Sequence, residues 1–483
     1  VSVIAAAPQQ DPAFRSVRQM RQALLRGEFS IAAHVQHTLD AIREHDHLFN
    51  AYVSVAGESA LREAAEADRL VAQLGEAALR HRPLLGVTVS VKDLVQTQDL
   101  PTRRGSLRPN HRPAEDAPAV ARLRAAGAIV VGKTRTSEHG WSASTVSTHA
   151  DPTRNPWNRN VSAGGSSGGA AAAVSAGLCD VALGTDGAGS VRIPAAFCGV
   201  VGFKPSFGRI PYVPAGADRL SHVGPLTRTV TDAIDLMEVL AGPDPRDPDS
   251  WSHPPQPVLD PHPLRVAWID FPGTSDQVRE GCAESEQVLK ALGYEVKRIE
   301  VPFADPYRAL VDLLAACEAA ETPSGEDELG DPGRLALAAY GRTLDASAVI
   351  RAEATRLHLR AQLEQVMQEH DLLAMPTVPV SPFAHDAIAP AHLADDPLQW
   401  LAWTPATYPF NFTGQPAVSV PVGLSADRLP VGLQLAGRVG EDSRVLAAAY
   451  LVEAELGLPM TPPSPCEERR DDVQTVVGAG RAR

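Results

Sequence analysis

The sequence predicts an α/β protein, and three stretches carry that expectation. Leu84-Leu-Gly-Val-Thr-Val-Ser-Val-Lys-Asp93 alternates Val87, Val89 and Val91 with Thr88, Ser90 and Lys92, the period-two pattern of a strand with one apolar face. Ser162-Ala-Gly-Gly-Ser-Ser-Gly-Gly-Ala-Ala-Ala-Ala-Val174 passes from a glycine-rich turn into a small-residue helix, and the apolar run Val181 to Leu183 leads to a second turn, Gly184-Thr-Asp-Gly-Ala-Gly-Ser190. Further on, strand 265–269, helix 275–292 and strand 295–301 follow one another, as strand and helix alternate in α/β proteins.

The remaining elements follow from spacing and punctuation. Residues 16–25 and 32–43 have helical periodicity, with Ser30 as N-cap of the second, and helix continues over 59–74. Helix 117–126 stops at Gly127 and gives way to strand 128–131 and a Gly132-Lys-Thr134 turn. Residues 137–157, rich in Ser, Thr and His, read as an irregular loop, either a plain surface loop or a wall of a substrate cleft. The Pro- and Asp-dense stretch 242–263 is a connector, and 306–370 is helical apart from 322–333. Buried strands are expected at 372–376 and 417–421, then strand 431–435 and helix 443–456. The division is 1–75 as N-terminal helices, 76–462 as one α/β domain, and 463–483 as a disordered tail.

Composition narrows the function. A hydrophobic content of 44% and a charged content of 21% give a globular chain with ample core. A net charge of −14 without a basic patch excludes nucleic acid as a partner. The five cysteines show no CxxC pairing and read as reduced thiols. No basic segment followed by a sufficient apolar run opens the sequence, and the Ala/Gly-rich run 168–184 is short of a membrane span, so a cytoplasmic, membrane-independent chain is expected.

The two glycine turns can aim several backbone N–H groups into one concavity, an anion or oxyanion site. A flexible linker would not run at once into the helix-compatible stretch Ala170–Ala176, and a phosphate-binding loop would need Gly-Lys-Ser/Thr opening the helix. Two serines remain, Ser166 and Ser190. A serine nucleophile needs a base, His or a lysine whose charge is suppressed. Lys92 at its strand end is a candidate, since burial lowers a lysine pKa by up to about 3–5 units, and Lys133 competes on residue type alone. His139 and His149 have no partners at metal-ligand spacing, and no metal or organic cofactor is expected.

The blocks Val91-Lys-Asp93, Thr153-Arg-Asn-Pro-Trp157, Gly164-Gly-Ser-Ser-Gly-Gly169, Gly184-Thr-Asp-Gly-Ala-Gly-Ser-Val-Arg-Ile-Pro194, Gly202-Phe-Lys-Pro205, Gly224-Pro-Leu-Thr-Arg228 and Phe410-Asn-Phe-Thr-Gly-Gln-Pro416 resemble, in order, those of the amidase signature family of serine hydrolases. The resemblance implies a central mixed β-sheet covered by helices on both faces, N-terminal helices 1–75 that pack on the core, a more variable part 244–400 that covers the cleft, and a Ser-cisSer-Lys triad. Ser190 would attack the carbonyl, Ser166 would relay its proton to Lys92, and the peptide Gly165-Ser166 would be cis. The N–H groups of Gly187, Ala188, Gly189 and Ser190 would form the oxyanion hole. Ala188 stands where the family usually has glycine. The expected substrate contacts are His139, Gly164, Gly165, Asp186, Arg192, Trp403 and Phe410. For Asp186 and Arg192 an internal ion pair that orients the turn is the first reading.

The implied activity is hydrolysis of a small organic amide to a carboxylate and ammonia or amine, with esters and carbamates open to the same route. The resemblance allows a homodimer supported by the N-terminal helices. The alternative is the glutaminase-type A subunit of a tRNA-dependent amidotransferase, a subgroup that usually carries a Ser-Leu-Asp-Gln-type segment where this chain has Asp218-Arg-Leu-Ser-His-Val-Gly-Pro225. A binding protein without turnover is the reading from another class, and the presence of all three triad residues argues against it.

Overall fold

The alternation along residues 87–92 resolves into a strand buried at every position rather than on one face. Its polar side chains meet polar partners on the covered side. Thr88 Oγ1 donates to Asp180 at 2.8 Å, Ser90 Oγ lies 2.5 Å from the Tyr52 hydroxyl, and Lys92 Nζ donates to Ser166 and Thr185. Hydrogen bonding lets a strand with a polar stripe lie inside the protein.

The computed structural model describes residues 14–108, 112–214, 216, 219–251, 263–322, 329–393, 398–458 and 460–463. Helices α1 (Val17–Leu25), α2 (Ile31–Phe49), α3 (Gly57–Leu74) and α4 (Glu76–His81), with strand β1 (Tyr52–Val55) after the second, precede β2 (Thr88–Lys92), α5 (Pro118–Ala125) and β3 (Ile129–Thr134). A hairpin of β4 (Arg154–Asn155) and β5 (Asn158–Ser162) leads to α6 (Gly168–Ser175), β6 (Val181–Asp186), α7 (Arg192–Cys198), β7 (Val201–Lys204), β8 (His222–Thr227) and α8 (Val230–Leu240). Then come β9 (Arg265–Ile269), α9 (Asp276–Ala291), β10 (Glu295–Ile299), α10 (Tyr307–Glu321), α11 (Pro332–Gly341), α12 (Ala346–Glu369), β11 (Leu372–Pro376), α13 (Pro409–Thr413), β12 (Ala417–Leu424), β13 (Pro430–Ala436) and α14 (Asp442–Leu456).

Eleven strands form one mixed sheet in the order β1-β3-β2-β6-β8-β7-β12-β13-β11-β9-β10. Val89, Val91, Val181 and Leu183 share an apolar core with residues of α5, α8, α9 and α14. On the other face, Ile129, Val131 and Ala182 pack with α2, α3 and α6, while Ala267 and Ile269 pack with α7, α10 and α12. Helices therefore cover both faces. α6 is buried at all eight positions, and its Ala and Gly residues let it lie close on the sheet.

Several boundaries differ from the sequence reading. Gly132-Lys-Thr134 is no turn but the end of β3, paired antiparallel with β1, a strand the periodicity did not predict. The loop expected at 137–157 ends in the β4–β5 hairpin. Residues 252–262 of the expected connector and the tail from residue 464 lie outside the described residues. Among the described residues, no helix is long and apolar enough to cross a membrane, and no group of three or more His, Cys, Asp or Glu could hold a metal ion.

Asp180 ties α2 to the central strand, accepting from Thr88 N and Thr88 Oγ1 and lying 2.8 Å from His34 Nε2. Burial opposes a charge on His34, but the Asp180 carboxylate outweighs it and raises the His34 pKa, while that of Asp180 falls to about 2. A raised histidine pKa contributes stability that is complete below the unfolded value of about 6.5 and is lost as pH rises through the folded one. Asp180→Asn should therefore lower the thermal midpoint, and the gap from wild type should narrow between pH 6 and pH 8. Thermal scans of both proteins across that range check this.

Candidate active site

β2 runs parallel to β6, with Val91 opposite Leu183, so Lys92 and Thr185 emerge at the same carboxyl end of the sheet. That is the end at which open α/β sheets bind ligands. Lys92 Nζ donates to Ser166 Oγ at 2.8 Å and to Thr185 Oγ1 at 2.9 Å. Lys92 is fully buried, and burial lowers its pKa to about 7 against the opposing pull of the Asp186 charge. The peptide Gly165-Ser166 is cis.

The two glycine turns are stitched together by Ser167. Its N–H donates to Ser190 O at 3.1 Å, and its hydroxyl donates to Thr185 O at 3.1 Å. Ser166, Thr185, Gly187, Ala188 and Ser190 line one cavity of about 640 Å³, counting its open mouth. Leu94, His139, Gly140, Trp141 and Ser142 form one wall, Tyr212 and Ser221 another, and Leu314, Glu318, Leu337 and Leu401 a third. Ser190 keeps 9% of its surface exposed whereas Lys92 keeps none, which separates a reachable hydroxyl from a hidden amine.

The turn 187–191 is held by an ion pair. Arg192 Nε and Nη2 donate to Asp186 at 2.9 and 3.0 Å, and the guanidinium continues to Thr407 O, Gln434 Oε1 and Asn411 Oδ1 at 2.7–2.9 Å. Burial favours the neutral acid, yet the Arg192 fork prevails and holds Asp186 well below the usual carboxylate range. Asp186 also accepts from Gly189 N at 2.7 Å. This removes Gly189 from the expected oxyanion donors, because its N–H is spent on the turn. Gly187, Ala188 and Ser190 remain. Positive φ falls on Gly189 (126°) rather than on position 188, so Ala188 fits where the family usually has glycine.

Asp186 and Arg192 are both fully buried and engaged with each other, so the internal pairing describes them and substrate contact does not. Gly164 and Gly165 lie behind Ser166, where Gly164 O accepts from Thr145 Oγ1 and a Cβ on Gly165 would meet the Ser144 backbone at 2.3 Å. Trp403 stacks on Phe197 with ring centroids 5.8 Å apart and meets Phe383 edge-on, and Phe410 is fully buried. These four are not on the cavity lining, since segment 400–413 turns its aromatic side chains to the core and offers Leu401. His139 does line it, with a pKa lowered to about 3 by burial and by Arg334, Arg104 and Arg108. Lys133 is spoken for by Val95 O at 2.6 Å and Thr102 Oγ1 at 2.8 Å, away from both serines. Trp141 lies in the stretch 137–157 read as a surface loop or a cleft wall, whereas Tyr212, Thr185 and Glu318 escaped the sequence reading. Thr185 alone was within reach, from the Gly184-Thr-Asp186 block beside Lys92 in the sheet.

An eleven-stranded mixed sheet with helices on both faces and a cavity at its strand ends places the chain among α/β proteins that bind ligands at the carboxyl ends of their strands. The chain belongs to the amidase signature family, whose model, described as Amidase, matches residues 33–446. It is 36% identical over 470 residues to the A subunit of the glutamyl-tRNA(Gln) amidotransferase of Thermus thermophilus, covering 90% of this chain and 96% of the relative. Among solved structures it resembles 6-aminohexanoate cyclic dimer hydrolase, with a TM-score of 0.84 and 28% identity over 94% of this chain and 99% of the other. It also resembles a bacterial aryl acylamidase of the amidase signature family, with a TM-score of 0.83 and 27% identity over 94% and 100%.

The turn geometry makes neighbouring residues respond differently. Gly189→Ala would force a side chain into positive φ and place Cβ 2.5 Å from Thr407 Oγ1, an overpacking that costs about 1–3 kcal/mol. Ala188→Gly relieves no strain and should cost under about 1 kcal/mol. Thermal midpoints of the two variants should separate in that order.

Proposed function

We propose that this chain is an amidase hydrolysing the C–N bond of a small organic amide through an acyl-enzyme on Ser190. The observation that carries the reading is the Lys92 amine, excluded from water and 2.8 Å from the Ser166 hydroxyl, which shares its cavity with Ser190. A lysine with a pKa near 7 is a competent base at neutral pH, which an exposed lysine is not. Ser190 Oγ attacks the carbonyl carbon while its proton passes to Ser166 Oγ and the Ser166 proton to Lys92 Nζ. The carbonyl oxygen becomes an oxyanion against the N–H groups of Gly187, Ala188 and Ser190. Collapse breaks the C–N bond as Lys92 returns its proton through Ser166 to the leaving nitrogen. Water, deprotonated along the same relay, then cleaves the ester and frees Ser190. His139 is a neutral cavity wall in this scheme.

The second reading, the glutaminase-type A subunit, is favoured by the identity of the curated relatives. Against it stand residues 218–225, which lack the Ser-Leu-Asp-Gln-type segment, and a lining without Lys or Arg among the described residues to meet the α-carboxylate of glutamine. Ammonia release from glutamine, or co-purification with a second subunit, would favour it. A cytoplasmic setting and a homodimer complete the proposal.

A fluorophosphonate probe should label wild type and not Ser190→Ala. Lys92→Ala should lose about 10³-fold or more in acylation while its thermal unfolding shows an intact fold. Near-normal turnover in that variant removes Lys92 from the mechanism. Because the base must be uncharged, kcat/KM should rise with pH through about 7 and level off above.

A further inference from the structure

Glu318 is the one charged side chain on the cavity lining among the described residues, and the reaction proposed above does not use it. It sits on α10 one turn beyond Leu314, and both face the cavity together with Leu337 of α11. Its Oε2 lies 2.8 Å from Arg334 Nε, but both atoms are buried without a directed hydrogen bond. Arg334 is fully buried and also lies 3.9 Å from Glu138 Oε2. One guanidinium thus stands between two carboxylates. Glu138 is already satisfied by the Ser106 hydroxyl at 2.7 Å and the Asp331 N–H at 2.6 Å, so the surplus negative charge of the trio is carried toward the cavity by Glu318. His139, also on the lining, contributes no compensating charge, and Arg104 and Arg108, which help to depress its pKa, are not on that lining.

We propose that Glu318 reads the substrate, and that the preferred amides carry a protonated amine a short apolar stem away from the scissile carbonyl, the stem lying among Leu314, Leu337, Leu401 and Trp141. The proposal rests on the amidase reading and deepens it. A cationic group complements a half-satisfied carboxylate in a low-dielectric wall, whereas a carboxylate-bearing substrate would meet only repulsion there. An apolar substrate of equal length would leave Glu318 desolvated, with Arg334 as its one cationic neighbour among the described residues. Burial, with Arg334 opposing, already raises the Glu318 pKa to about 7, and a bound ammonium favours its ionised form.

The test uses anilides of matched chain length ending in an ammonium, a methyl or a carboxylate group, hydrolysed by wild type, Glu318→Gln and Glu318→Lys. Wild type should favour the ammonium over the methyl compound by about 10-fold in kcat/KM, mainly through KM. Glu318→Gln should erase that preference by raising KM for the ammonium compound more than for the methyl compound, and Glu318→Lys should shift it toward the carboxylate. Absence of the preference in wild type, or an equal loss for all three substrates in Glu318→Gln, as a mere brace for Arg334 would give, overturns the proposal. Calorimetric binding of the same compounds to Ser190→Ala separates the two claims: an ammonium preference there without turnover in wild type defeats the hydrolase and keeps the recognition, and equal binding defeats the recognition.

Discussion

An amine without hydration is the condition on which the arrangement around the cavity depends. Lys92 can lose its charge near neutrality only because a strand with sheet neighbours on both sides and helices above and below keeps water from it. The sheet supplies this by setting β2 between β3 and β6, both parallel to it, so that three carboxyl ends meet where Lys92 emerges. Ser166 and Thr185 then satisfy the amine without bringing a negative charge to it. The nearest strong anion, Asp186, is committed to Arg192, so its pull on the lysine proton is partly cancelled. Lys204 shows the same burial in another setting. It donates to Gln415 O at 2.5 Å and lies 3.3 Å from His222 Nε2, and no serine of the two glycine turns is within its reach.

Much of this was legible in the residues because it depends on local pattern. The strand ending at Lys92, though buried on both faces, the glycine turns around the alanine run, and strands 265–269 and 372–376 are all found where expected. The short edge strand β1 was not, since four residues between two helices carry almost no periodic signal and one of them, Val55, is exposed. Gly132 misled for a physical reason. It serves close approach rather than chain reversal, as a Cβ there would lie 2.5 Å from Ser54 O across the β1–β3 pair.

The site divides in the same way. Lys92, Ser166 and Ser190 lie in stretches whose composition fits little else, and the family blocks supply their order. Glu318 lies in a long helical region where a lone acid reads as a solvated face, and only the packing of α10 against α11 turns it toward the cavity. Trp403 and Phe410 erred in the opposite direction. Aromatic residues near a site motif suggest a pocket, but such large apolar surfaces find more complete burial in the core. The spent N–H of Gly189 is equally invisible in a sequence, because it depends on where the Asp186 carboxylate turns.

The Arg192 clamp also has a bearing on time. The guanidinium holds a turn at residues 186–191 through acceptors at 407, 411 and 434, more than two hundred positions later. The turn therefore reaches its final form only after residues 407–434 have been made and packed against it, so this part of the fold is among the last that the growing polypeptide can complete.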